Sequence, residues 1–214
     1  MAHDYTLTAL NENSVQIRFH LNEGPPSPTL CARISHCKNS ILAQHGACIF
    51  DAVASYNTLL IYYDFRRLKL EYLCADLHTL CQLNTPADTA NTIAPSTGND
   101  VLIPVYYSEE SGPDLAALAQ LHHLSIEQTI ALHTQRQYTV YAVGFLPGFA
   151  YLGFVDERLR TPRLSTPRRC VPQGAVGIAD QQTGIYPCDS PGGWNIIGRS
   201  PTAMLNTPGG TDIV

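Results

Sequence analysis

The sequence predicts an α+β protein in two parts: a small N-terminal α+β domain over residues 1–84, and a β-rich domain with two short helices over residues 101–214, joined by a linker over residues 85–100. Three observations predict this. In the N-terminal part the apolar residues switch between the period of two that half-buried strands show and the period of 3.6 that helices show, in the order β-β-α-β-β-α. Around residues 84–100 the chain turns to Asn, Thr, Pro, Ala, Ser and Gly, and no periodicity survives. From Tyr138 onward short β-like runs are punctuated by Gly and Pro at close intervals, the pattern of a compact barrel or sandwich.

Taken in order, Tyr5, Leu7 and Ala9 alternate with polar residues, as do Val15, Ile17 and Phe19, with a turn at residues 11–13. After the break at Gly24, Pro25 and Pro26, Leu30, Ile34, Cys37 and Ile41 keep the spacing of one helix face, and Gly46 ends that helix. Two β-rich runs follow at residues 48–53 and 58–63. Asp64 then caps a helix whose stripe is Leu70, Leu73, Leu77 and Leu80. Beyond the linker, residues 101–107 read as a strand. Pro113 opens a helix ending near His122, and Ser125 with Gln128 forms a capping box for another through His133. Short strands are expected at residues 139–145, 171–179, 185–188 and 194–197.

Composition narrows the function. Of 214 residues 44% are hydrophobic and 14% charged, and the net charge of −5 removes the attraction on which general nucleic-acid binding depends. The only lysines are Lys38 and Lys69, so a phosphate-binding, Schiff-base or biotin-carrying lysine is excluded from the second domain. The seven cysteines lack a disulfide framework and read as free thiols in a reducing cytoplasm. No signal peptide is read at the N-terminus, and the apolar stretch at residues 142–155 is broken by Pro147 and its glycines, so neither membrane nor export is expected.

Few residues form a self-contained chemical site. Cys74, His78 and Cys81 share a helix face but lack a fourth zinc ligand at a recognisable spacing, so they read as packing residues and a surface histidine. His133 could face a cleft. More informative is the loop around Gly144–Gly153, where Phe145, Pro147, Gly148, Phe149 and Tyr151 combine close backbone approach with flat apolar walls. Arg158, Arg160, Arg163, Arg168 and Arg169 follow, interleaved with prolines; such arginines suit bidentate capture of carboxylate or phosphate, or else form a solvated strip partly neutralised by Asp156 and Glu157. Finally Pro191, Gly192 and Gly193 place the single tryptophan, Trp194, directly after a tight turn.

The ordered series G-F-L-P-G-F-A-Y-L (144–152), T-P-R-L-S-T-P-R (161–168), V-P-Q-G-A-V-G-I-A (171–179), Q-T-G-I-Y-P (182–187) and S-P-G-G-W-N-I-I-G-R (190–199) resembles the KipI/PxpB family. That family is also called allophanate hydrolase subunit 1, or subdomains C and D of a biotin-dependent carboxyltransferase domain. The resemblance implies a cyclophilin-like β-barrel for the second domain and a bacterial, cytoplasmic protein. It also implies the B component of an ATP-dependent 5-oxoprolinase that opens 5-oxoproline to glutamate with A and C components as partners. ATP would then be used with the partners, and this chain would carry no biotin attachment site. The alternatives are an inhibitor of a sensor histidine kinase and a segment related to urea carboxylase. The substrate-binding set expected is Phe145, Pro147, Gly148, Phe149, Tyr151, Arg163, Arg168, Pro191, Gly192, Gly193 and Trp194, with no metal and no catalytic residue assigned. The family usually adds one more β-rich segment after Met204, so the barrel is expected to lack its last strand or the chain to be trimmed.

Overall fold

In the computed structural model, which describes residues 4–21, 24–83, 100–206 and 212–213, the chain divides into two units, Met1–Asp100 and Val101–Val214. The linker region at residues 84–99 lies outside the described residues.

The first unit is a four-stranded antiparallel sheet. Strands β1 (Tyr5–Asn11), β2 (Ser14–Phe19), β3 (Ile49–Ser55) and β4 (Thr58–Tyr63) take the order β1-β2-β4-β3. The Asn11 side chain closes the first hairpin by accepting from the Asn13 backbone and the Ser14 hydroxyl. Alternation then decides what is buried: Val15, Ile17, Phe19, Leu59, Ile61 and Tyr63 all lie in the core. Helix α1 (Pro28–His45) starts where the Ser27 hydroxyl accepts from the Leu30 N–H at 3.1 Å, and buries Ile34, Cys37 and Ile41 against that core. Helix α2 (Leu70–Leu83) buries Leu73, Leu77 and Cys81 completely, each leucine contributing about 1.5–3 kcal/mol by its removal from water. Leu70 and Leu80 only flank this stripe. Asp64 does not cap α2. Its carbonyl and carboxylate instead close a separate turn over residues 64–68, because two further residues intervene before the helix begins. His78, expected at the surface, is held by the Tyr5 hydroxyl at 2.8 Å.

In the second unit helix α3 (Leu115–Leu121) follows Asp114, which takes the cap position, leaving Pro113 just outside the helix. Helix α4 (Ile126–Thr134) has the reciprocal box of Ser125 and Gln128. Strands β5 (Thr139–Val143), β6 (Ala150–Gly153), β8 (Ala175–Ala179), β9 (Gln182–Ile185) and β11 (Asn195–Arg199) form an antiparallel sheet ordered β11-β8-β9-β6-β5. A second pair joins β7 (Arg168–Val171) to β10 (Ser190–Gly192), and a third joins β12 (Leu205–Asn206) to β13 (Asp212–Ile213). No closed barrel is seen among the described residues: the large sheet ends at β5 and β11, which do not pair. Residues 101–107 do not form the expected strand. Only Tyr106 bridges to Arg199 at the edge of β11. The run at 171–179 is two strands, because Gly174 turns at φ +80° and brings its Cα so near Ser200 that a Cβ would stand 2.2 Å from the Ser200 carbonyl oxygen. Among the described residues, no helix is long and apolar enough to cross a membrane.

Candidate functional site

The 144–153 loop is tied by two backbone bonds, Gly144 N–H to the Phe149 carbonyl at 3.1 Å and Phe149 N–H to the Leu146 carbonyl at 3.0 Å. Gly148 sits at φ +82°, a conformation that side chains resist. This turn drives Phe149 into the core, where it meets Phe145, Tyr151, Tyr186 and Trp194 edge-on at centroid distances of 5.5, 4.9, 5.4 and 5.4 Å. Gly184 and Gly192 make the cluster possible. A Cβ on Gly192 would stand 2.3 Å from the Tyr186 hydroxyl oxygen, and one on Gly184 would press on Phe149 and Trp194 at 3.1 Å.

The sequence motifs therefore meet in space, but mostly as core. Phe149 and Trp194 are buried, Tyr151 is half-buried, and Phe145 is the ring left 60% exposed. Pro147 and Pro191 lie at the surface, Gly148 is buried, and Gly192 and Gly193 are half-buried. Gly193 accepts from the Leu164 N–H at 2.7 Å, which pins the arginine-bearing segment beside the tryptophan. In that segment the exposed Arg163 guanidinium stands 5.9 Å from the centre of the Trp194 ring. Burial pushes the Tyr186 hydroxyl above the usual phenol range, opposed by a hydrogen bond from the Trp194 backbone and by the charges of Arg163 and Arg168. Both guanidinium groups thus act on one phenol.

Arg168 is not a free surface charge. Its Nη2 donates to Asp114 Oδ1 at 2.6 Å, while Asp114 Oδ2 accepts from the Ile196 N–H at 2.6 Å, so the ion pair is hung on β11. The neutralisation expected from Asp156 goes elsewhere: Asp156 pairs with Arg158 and Arg136, and the Arg158 hydrogen bond holds its carboxyl far below the usual carboxylate range. Arg160 and Arg169 are exposed.

A cavity of about 770 Å³ opens beside Arg168 and is lined as well by Arg199, Tyr106, Glu110, Ser111 and Thr202. Of the sequence-predicted site residues only Arg168 reaches it. Sequence reasoning misses Arg199, although it closes the I-I-G-R run after Trp194; as a lone arginine at a strand end it carries no pattern. His133 faces no cleft. It is a neutral core histidine, with Nδ1 on the Tyr107 hydroxyl and Nε2 on the Thr183 hydroxyl, both at 2.8 Å. Since Thr183 donates onward to the Gly177 carbonyl, the histidine proton belongs on Nε2. Among the described residues no group of three His, Cys, Asp or Glu side chains is placed to hold a metal ion.

The family described as carboxyltransferase domain, subdomain C and D, matches residues 5–211. This chain belongs to that family. It is the family to which the KipI/PxpB motifs point. Among curated carboxyltransferase-domain relatives, the Bacillus subtilis protein named as the B component of 5-oxoprolinase is 50% identical over 105 residues, covering 49% of this chain and 44% of that protein. The Haemophilus influenzae protein of the same name is 39% identical over 158 residues, covering 74% of this chain and 70% of its own length. The crystal structure of TTHA0988 matches with a TM-score of 0.74 and 37% identity over 90% of this chain and 36% of that one. Kluyveromyces lactis urea carboxylase shares the carboxyltransferase C and D fold at a TM-score of 0.66 and 16% identity, over 95% of this chain and 20% of that one. The chain thus spans less than half the length of the Bacillus relative and about a third of TTHA0988.

Proposed function

We propose that this chain is the B component of an ATP-dependent 5-oxoprolinase, a cytoplasmic complex that opens 5-oxoproline to L-glutamate. The observation that carries the reading is the 39% identity to the B component of Haemophilus influenzae 5-oxoprolinase across 74% of this chain. Opening an unactivated lactam at the expense of ATP calls for a phosphorylated amide held away from water. The chain supplies aromatic walls and guanidinium groups suited to hold such a species. It carries no phosphate-binding loop and no lysine after Lys69, so ATP is assigned to the A and C partner components. The relation of the open second-unit sheet to a cyclophilin-like barrel belongs to the same proposal.

Co-expression with A and C candidates from the same genome, followed by purification and an assay of 5-oxoproline-dependent ATP hydrolysis, tests it. The expected result is turnover by the assembled complex and none by the single chain. Full turnover by the purified chain alone refutes the partner requirement, and an inactive but assembled complex refutes the assignment.

A further inference from the structure

The cavity beside Arg168 is separate in its lining from the aromatic cluster, and its groups are arranged for a particular kind of ligand. Its volume of about 770 Å³ is that of a small-molecule pocket. One wall is Arg168, fixed through Asp114 to β11, and its Nη1 is buried without a hydrogen-bond partner. Facing the same space is Arg199, anchored by its Nε–H to the Gln173 carbonyl at 2.9 Å. The terminal nitrogens of Arg199 carry no hydrogen bond or ion pair among the described residues, so its fork is available to a planar oxyanion. Glu110 lies exposed on the rim, and Asp114 already balances Arg168. Two arginines set against two carboxylates disfavour a dianion such as phosphate, and favour a single carboxylate that carries an N–H or ammonium group elsewhere.

We propose that this cavity is a carboxylate subsite for a small cyclic amide or amino acid, gripped by Arg199 and oriented by Arg168. The choice of acid rests on the 5-oxoprolinase reading, whereas the site itself rests on the arginines. Titration calorimetry of the full chain with 5-oxoproline, L-glutamate and inorganic phosphate as separate probes tests it. The expected result is saturable binding of 5-oxoproline or L-glutamate and none of phosphate. Arg199→Ala should weaken binding roughly tenfold, Arg199→Lys less, because an ammonium keeps the charge but loses the fork. Arg160→Ala should leave it unchanged. Trp194 fluorescence melting checks that each variant is folded. Binding of phosphate alone, no binding of either acid, or binding indifferent to Arg199→Ala overturns the proposal. The two readings fail separately: Arg199-dependent binding with an inactive complex leaves the site and removes the assigned activity. An active complex with Arg199-indifferent binding does the reverse.

Discussion

In the first unit the buried polar group is charged: the Arg33 guanidinium pairs with Asp4, donates to the Cys81 carbonyl at 2.8 Å and lies 4.8 Å over the Phe19 ring. In the second it is neutral. His133 spends both ring nitrogens on the hydroxyls of Tyr107 and Thr183, and burial lowers its pKa to about 4. The surrounding architecture differs in the same sense. Regular helices and an alternating sheet bury aliphatic side chains around Arg33, whereas in the second unit glycines let backbone touch backbone and aromatic rings meet edge-on. The comparison teaches that the first unit is held by side-chain volume and the second by the absence of side chains at a few positions.

Substitutions that reverse these roles should have the largest effects. A Cβ on Gly112 would stand 2.2 Å from the Ile197 backbone, so Gly112→Ala should cost about 4 kcal/mol or more, read as a fall in the unfolding midpoint of Trp194 fluorescence. Trp194 is the only tryptophan, and it reports the second unit. In the first unit the comparable damage comes from removing volume: Leu77→Ala should cost about 3 kcal/mol, followed by helix ellipticity in denaturant. If Gly112→Ala proves milder than Leu77→Ala, the contrast between the units breaks down.

Acid should separate the units next. The folded pKa of His133 lies below that of a free histidine, so the unfolded chain binds the proton more readily. The stability involved is therefore complete above about pH 6.5 and is lost as pH falls toward about 4, by roughly 3 kcal/mol in all. Trp194 unfolding midpoints across that window should fall in the parent and stay level in His133→Gln. Asp4 works at lower pH. Its carboxyl is held below the usual value by the hydrogen bond from Arg33, so its contribution persists down to about pH 4 and fades beneath it.

The smallest expected difference lies in the helix caps. Ser27 makes a single bond to Leu30, whereas Ser125 and Gln128 satisfy each other's backbone donors. Alanine at either serine should cost about 1 kcal/mol, with the larger loss at Ser125, where two bonds depend on the box. Equal losses would show that the reciprocal bond adds nothing.

How far the sequence can be read follows the same division. Ile34, Cys37 and Ile41 announce α1 by spacing alone, because local periodicity and burial coincide there. Strands β6 and β10 lie inside the glycine and proline motifs, where the eye sees loops, and the strand expected at residues 185–188 forms at Gln182–Ile185. These pairings are decided by distant backbone, as when Gly198 lies so close to Tyr106 that a Cβ would stand 2.9 Å from its carbonyl oxygen, and no local pattern encodes that. For the candidate site, the motifs identify residues that do gather near Tyr186, from Phe149 to Trp194 and Arg163. They do not reveal that the rings are largely core, that Arg168 is tied to Asp114, or that Arg199 faces a cavity. Arg168→Ala consequently leaves the Asp114 carboxylate unpaired, and the expectation that such a change spares stability does not carry over to it.

Arg163 is the cleaner probe, since it is exposed and touches the cluster only through the Trp194 face, a contact worth about 0.5–1 kcal/mol. The most direct measurement is 5-oxoproline-dependent ATP hydrolysis by the complex assembled with Arg163→Ala, beside the parent and Arg163→Lys. A loss of roughly tenfold, with partial recovery in the lysine variant and a nearly unchanged Trp194 unfolding midpoint, is the result expected if the second unit grips the substrate. Parental turnover in Arg163→Ala would contradict it and reduce the aromatic cluster to a core.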